Sequence, residues 1–178
     1  MQLNQIAEIL GVEIQPMPEV HINWLLTDSR SLFFPAESIF FAIITDRNDG
    51  LKYIRELYDR QLRYFVVSEF LPEMNSLKDA VFIHVKDTLQ ALQNLAAHKR
   101  KMIDIPVVGI TGSNGKTIVK EWLYQLMHQE YQITRSPRSY NSQIGVPLSV
   151  WSLSENTELG VFEAGISQID GIENPCYW

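Results

Sequence analysis

The amino-acid sequence predicts an α/β protein in two parts, a small α/β domain over residues 1–104 and the opening of a second, parallel-sheet domain over residues 105–178. Three observations carry that reading. Apolar runs short enough for buried strands alternate with segments whose apolar residues recur at helical spacing. The alternation starts afresh after a proline-bearing stretch at residues 103–106. A glycine-rich turn, TGSNGKT at residues 111–117, then lies between an apolar strand pattern and a helix pattern.

Taken in order, residues 3–10 place Leu3, Ile6, Ala7, Ile9 and Leu10 on a short helix closed by Gly11. INWLLTDSR and SIFFAII, separated by a turn at Pro35, read as strands. GLKYIRELYDRQL has helical spacing, RYFVVSE and AVFIHVKD read as strands, and TLQALQNLAAHKRKMI is an amphipathic helix with Thr88 at its cap. In the second part IPVVGIT is a strand. The segment TIVKEWLYQLMHQEY is a helix with an apolar stripe of Val119, Trp122, Leu123, Leu126 and Met127. A polar connection SPRSYNSQIG, a helical PLSVWSL with Pro147 at its start, and a strand LGVFEAG follow. Phe33, Phe34, Phe40, Phe41, Phe65 and Phe82 read as core, and His84, His98 and His128 as structural or solvated.

Composition excludes several classes. With 15 Lys and Arg against 21 Asp and Glu, the net charge of -6 argues against nucleic acid as the main partner. The N-terminus has no basic, apolar leader pattern, and no window approaches the roughly 18 apolar residues of a membrane span. A single cysteine, Cys176, makes neither an internal disulfide nor a thiolate metal site. The expectation is a soluble cytoplasmic protein with no membrane partner.

The turn at residues 111–117 carries the chemistry. Gly112 and Gly115 let the backbone curl so that the amides of Thr111, Gly112, Ser113, Asn114 and Gly115 face phosphate oxygens, and the following helix adds its positive end. Lys116 supplies a point charge to the outer phosphates, and Thr117 a hydroxyl for Mg²⁺. The residues thus predict the phosphates of a nucleotide and Mg²⁺. An ordinary glycine turn with an exposed lysine is the alternative, and the flanking strand and helix disfavour it. The common GxxxxGKT pattern would need glycine at residue 110, where Ile110 stands, with Gly109 one place early. The loop is therefore the variant TG, two residues, GKT.

That variant resembles the loop of the Mur ligases and folylpolyglutamate synthases, which couple ATP cleavage to amide-bond formation, and the resemblance implies that the nucleotide is ATP. Further motifs, in order, resemble the MurF branch of the Mur ligase family: TDSR at residues 27–30, FFAIITDRNDG at 40–50, TGSNGKTIVKE with Lys120 and Glu121, NSQIGVP at 141–147 and VFEAG at 161–165. The first two are of the type shared by MurE and MurF. The resemblance implies a MurE/MurF-type substrate domain that binds a UDP-sugar, followed by an incomplete P-loop ATPase domain, as the N-terminal portion of a longer enzyme. It fades near Gln168, where many relatives carry a metal-binding histidine, and residues 169–178 depart from the family pattern. Leu51 departs too, standing where a histidine often follows the Asp-Gly pair.

By this resemblance the full enzyme adds D-Ala-D-Ala to UDP-MurNAc-tripeptide through an acyl phosphate, in peptidoglycan synthesis. Lys116 is then the catalytic cation, and Thr117 and Glu163 are the metal ligands. Ser29, Arg30, Arg47 and Asn48 would line the UDP pocket, with Asp49 and Gly50 shaping its turn, and Asn141 and Ser142 would approach substrate. Two other readings stay open: a MurE-like ligase, and a fragment that holds nucleotide or UDP-sugar without turning over. For the 178 residues alone the expectation is inactivity, and a sheet cut after three strands is expected to leave apolar surface uncovered.

Overall fold

The structure, a computed structural model, describes residues 1–13, 18–46 and 48–165. Arg47, Gln168, Cys176 and the departing segment 169–178 lie outside the described residues. Two compact units divide between Leu92 and Gln93, inside a helix. The boundary expected at residue 104 instead assigned that whole helix to the first domain.

In the first unit, helix α1 (Leu3–Ile9) buries Leu3, Ile6 and Ala7. It ends at Gly11, whose φ of 71° lets the amides of Gly11 and Val12 return to the carbonyls of Glu8 and Ala7. Strands β1 (Trp24–Leu26), β2 (Ser38–Phe41), β5 (Tyr64–Val67) and β6 (Val81–His84) form a parallel sheet in the order β1-β2-β5-β6. Between β2 and β5 lie a two-residue hairpin, β3 (Ile44–Thr45) with β4 (Asn48–Asp49), and helix α2 (Ile54–Asp59). Every residue of β2 is buried, as an inner parallel strand requires. Phe40 pairs in register with Phe65, and Phe65 with Phe82, whose rings stack at 5.3 Å. Ile54, Leu57 and Leu62 complete this core.

Several local expectations give way to tertiary and turn chemistry. The strand expected over residues 22–30 shrinks to β1, because Asp28 Oδ1 accepts the Arg30 amide at 3.0 Å and starts a 3₁₀ turn, Ser29–Ser31. The strand expected through Ile44 stops at Phe41. Phe33 and Phe34 are not core: they are 78% and 56% exposed, and Phe34 stacks on Trp24 at 5.8 Å. Helix α3 (Thr88–Met102) is capped by Asp87, whose Oδ1 accepts the amides of Leu89 and Gln90, while Thr88 donates instead to the Ala42 carbonyl at 3.3 Å.

The second unit contains β7 (Val107–Ile110), α4 (Lys116–Met127), β8 (Ile133–Arg135), α5 (Gly145–Trp151) and β9 (Leu159–Glu163). Its parallel sheet has the order β7-β9-β8. Central β9 is buried throughout, and Phe162 packs with Ala96, Val146, Val150 and Leu153. No segment of the sequence was assigned to strand β8, and Pro147 is the third residue of α5 rather than its start.

The stripe expected to bury α4 does not. Val119, Trp122 and Leu126 are 44%, 63% and 77% exposed, and the only buried residue of the helix is Lys120. The helix meets its sheet through the Lys120 side, so the Ile118, Val119, Trp122 and Leu126 face lies open. Such a contiguous apolar face favours association. Sedimentation is expected to show the 20.5 kDa chain gaining mass with concentration, and Trp122→Glu suppressing the gain. A monomer at every concentration would contradict this.

Candidate functional site

Two places in the described residues gather polar side chains, one in each unit. In the second unit, β7 and β9 run parallel with Ile110 opposite Glu163, and the Ala164 amide donates to the Ile110 carbonyl at 2.9 Å. The glycine loop therefore leaves the strand end beside Glu163, at the carboxyl edge of the sheet where α/β proteins bind ligands. Gly112 has φ 140° and Gly115 has φ 78°. A Cβ on Gly115 would meet nothing within 4 Å, so backbone conformation, and not space, requires the glycine there.

Helix α4 begins directly after Gly115, which sets the side chains of its first turn against the end of β9. Thr117 Oγ1 donates to Glu163 Oε2 at 3.1 Å and lies 3.3 Å from Ser139 Oγ. Glu163 is fully buried, and its amide donates to Ser136 Oγ at 3.0 Å. Its other oxygen, Oε1, lies 2.9 Å from Lys120 Nζ, an ion pair whose angle makes no directed hydrogen bond. Lys116 Nζ donates to the Gly112 carbonyl at 2.5 Å, closing the loop on itself.

This donor set fits Mg²⁺. No group of three or more His, Cys, Asp or Glu that could hold a metal is found among the described residues. One carboxylate and one hydroxyl, with phosphate oxygens and water completing the shell, is the usual arrangement for that ion. Adjacent ligands at bond lengths of about 2.0–2.1 Å lie roughly 2.9 Å apart, close to the 3.1 Å between Thr117 Oγ1 and Glu163 Oε2.

In the first unit, a cleft of about 530 Å³ is lined by Thr27, Asp28, Ser29, Arg30, Asn48, Tyr53 and Glu56. Ser29 is buried in its 3₁₀ turn and its carbonyl accepts from Arg60 at 2.7 Å, so the turn is fixed from behind. Tyr53 Oη donates to Asn48 Oδ1 at 3.2 Å. Arg30 grips Asp28 through Nε at 3.0 Å and Nη2 at 2.6 Å. The Arg30 hydrogen bond holds the Asp28 carboxyl below its ordinary range, partial burial working the other way, and the guanidinium is raised in turn. A depressed carboxylate stabilises the fold above its unfolded pKa, and that contribution is lost as pH falls through the folded value. Exposure of both groups keeps it small.

Of the predicted site residues, the structure brings Thr117 to Glu163 in one unit and Ser29, Arg30 and Asn48 to one cleft in the other. Asn141 and Ser142 have local partners: the Asn141 carbonyl accepts the Gly165 amide at 2.7 Å, and Ser142 Oγ accepts the Gly145 amide at 3.0 Å at the start of α5. Reading the sequence missed Ser136, Ser139 and the burial of Lys120. The only signal was their proximity to the motifs.

A strand, a loop that turns at two glycines, and a helix whose first turn faces a strand-end carboxylate define a phosphate-loop α/β unit. Residues 110–174 match the Mur ligase middle domain. A curated relative from Bacillus subtilis, UDP-N-acetylmuramoyl-tripeptide--D-alanyl-D-alanine ligase, is 32% identical over 167 residues, 93% of this chain and 36% of the relative. The chain thus spans little more than a third of that relative's length. A solved structure of MurF from Acinetobacter baumannii is similar in fold, with a TM-score of 0.84 over 98% of this chain and 38% of its own, at 23% identity. MurF ligase from Thermotoga maritima in complex with ADP gives a TM-score of 0.73 at 25% identity, over 90% of this chain and 36% of its own. No helix among the described residues is long and apolar enough to cross a membrane.

Proposed function

We propose that this chain holds the UDP-sugar and ATP phosphates of a ligase that joins D-Ala-D-Ala to UDP-MurNAc-tripeptide. The observation that carries the reading is the approach of Thr117 to Glu163 at the mouth of the glycine loop. The loop amides and Lys116 receive the triphosphate and draw charge from the outer phosphates. Thr117 and Glu163 would hold Mg²⁺, which supplies charge neutralisation between the triphosphate and an incoming carboxylate. The peptide carboxylate oxygen bonds to the γ-phosphorus as the bond to ADP breaks. The amine of D-Ala-D-Ala then bonds to the carbonyl carbon as phosphate leaves and the amine loses a proton.

Residues 1–104 would supply the sugar-nucleotide site and residues 105–178 the nucleotide site. The cleft beside Ser29, Arg30 and Asn48 would take the UDP moiety, where Arg30 offers a charge-assisted hydrogen bond to the pyrophosphate. Relatives extend well beyond this chain, so it is expected to bind and not to turn over.

Calorimetric titration of UDP-MurNAc-tripeptide tests this. Binding is expected, and Arg30→Ala should weaken it about tenfold, the value of one charge-assisted hydrogen bond. The same variant should raise the Asp28 pKa towards its ordinary value by carbon-detected NMR. No heat with the unsubstituted chain would remove the assignment of the cleft, and a preference for the dipeptide precursor would favour a MurE-like ligase.

A further inference from the structure

Lys120 is an anomaly on its helix. It is the one buried residue of α4, on a helix whose Ile118, Val119, Trp122 and Leu126 lie open. An ammonium group taken out of water is costly unless its donors are met. Here Nζ donates to the Ser136 carbonyl at 2.9 Å and to the Arg138 carbonyl, and it lies 2.9 Å from Glu163 Oε1. The carbonyl of Arg138 comes from a residue with φ 51°, a left-handed conformation that a non-glycine residue adopts at a cost. Glu121 Oε1, at 3.5 Å from Nζ, adds a more distant negative charge and is itself paired with Arg135.

These contacts tie together three walls of the phosphate-loop site: α4, the segment leading to Ser139, and the end of β9. They also divide the Glu163 carboxylate. Oε1 faces Lys120 and Oε2 faces Thr117. We infer that Lys120 is a positioning residue that holds Glu163 so that a single oxygen, Oε2, is presented beside Thr117 to a nucleotide-bound divalent cation. It holds Ser139 within reach of the same place through the two carbonyls. The inference rests on the nucleotide reading above and adds to it a residue that touches neither nucleotide nor cation.

The test is a double-mutant cycle in the full 178-residue chain with Lys120→Met, Glu163→Gln and the double variant. Mn²⁺ binding in the presence of saturating ADP is read by electron paramagnetic resonance, and thermal unfolding is read without any ligand. Lys120→Met should weaken Mn²⁺ binding about 10- to 100-fold, the usual cost of losing an outer support of a metal ligand. On the Glu163→Gln background the same change should cost less than about twofold, because the group it positions is gone. Without ligand, Lys120→Met should lower the melting temperature by leaving a buried carboxylate uncompensated, and the double variant should recover part of that loss.

Equal weakening of Mn²⁺ binding by Lys120→Met in both backgrounds would overturn the assignment, as would additive losses in melting temperature. If Lys120→Met proves too unstable to titrate, the melting temperature of the double variant decides. Absence of Mn²⁺ binding by the unsubstituted chain overturns the nucleotide reading and this assignment with it. Binding that weakens with Glu163→Gln and not with Lys120→Met overturns this assignment alone.

Discussion

Lys116→Ala is expected to weaken ATP and ADP binding by roughly 10- to 100-fold, the range for removing one hydrogen-bonding cation from a charged acceptor. Lys116 is the first residue of α4, so its ammonium sits where the helix dipole and the loop amides already favour negative charge. It also donates to the Gly112 carbonyl, so its removal loosens the loop as well as deleting a charge. Calorimetry with ADP and Mg²⁺ separates the two effects. Loss of charge alone predicts that Lys116→Met behaves like Lys116→Ala, and that both lose less when ADP is replaced by AMP, which presents fewer phosphate oxygens. Equal ADP affinity in variant and parent would remove Lys116 from the site. Since the half-buried side chain supports no core cluster, folding should survive, and unchanged circular dichroism is the control.

Gly50→Ala is expected to destabilise the first unit by about 1–3 kcal/mol, the cost of overpacking. The reason is not the one its turn-like surroundings suggest. Gly50 has φ −69°, an ordinary value for any residue. An added Cβ would instead fall 2.7 Å from the Ala42 carbonyl carbon and from the Ile43 nitrogen, backbone atoms that cannot turn aside. The Gly50 amide also donates to the Ile43 carbonyl at 3.0 Å, so the two strands of chain are held at that closeness. For a unit of this size a loss of about 2 kcal/mol lowers the melting temperature by roughly 10 °C. Asn48 and Tyr53 lie on either side of Gly50 and line the cleft, so affinity for UDP-MurNAc-tripeptide should fall in the same variant. A variant as stable as the parent would mean that the hairpin moves aside at little cost.

What could be read from the sequence follows the range of each interaction. The glycine loop, its lysine and Thr117 are contiguous, and their chemistry is local, so residues 111–117 were legible without a fold. The resemblance pointed to Glu163 in VFEAG, Ser29 in TDSR and Asn48 in FFAIITDRNDG, and the structure sets Glu163 beside Thr117 and Ser29 and Asn48 along one cleft. Tertiary facts were not legible. Helical spacing identified the α4 stripe, but periodicity marks an apolar face without saying what covers it. A lysine on a helix is normally solvated, and its burial here depends on the carbonyls of Ser136 and Arg138, sixteen and eighteen residues away, and on the Glu163 carboxylate, forty-three residues away. Strand β8 is three residues with half-buried side chains and owes its place to pairing with β9, so no local signal announced it. Gly50 was assigned to a turn because the close approach of Ala42 is invisible in one dimension.

Strand β9 is the last strand of the chain described and the middle one of its sheet. Neither β7 nor β8 bonds to the other; both wait for it. Among the described residues, the two flanking strands therefore have no partner in their own sheet until residues 159–163 are made, and this sheet is expected to assemble only then. The same five residues carry Glu163. A chain stopped before them would lack both the scaffold and the acid at once, which makes premature termination here an all-or-none loss and not a graded one.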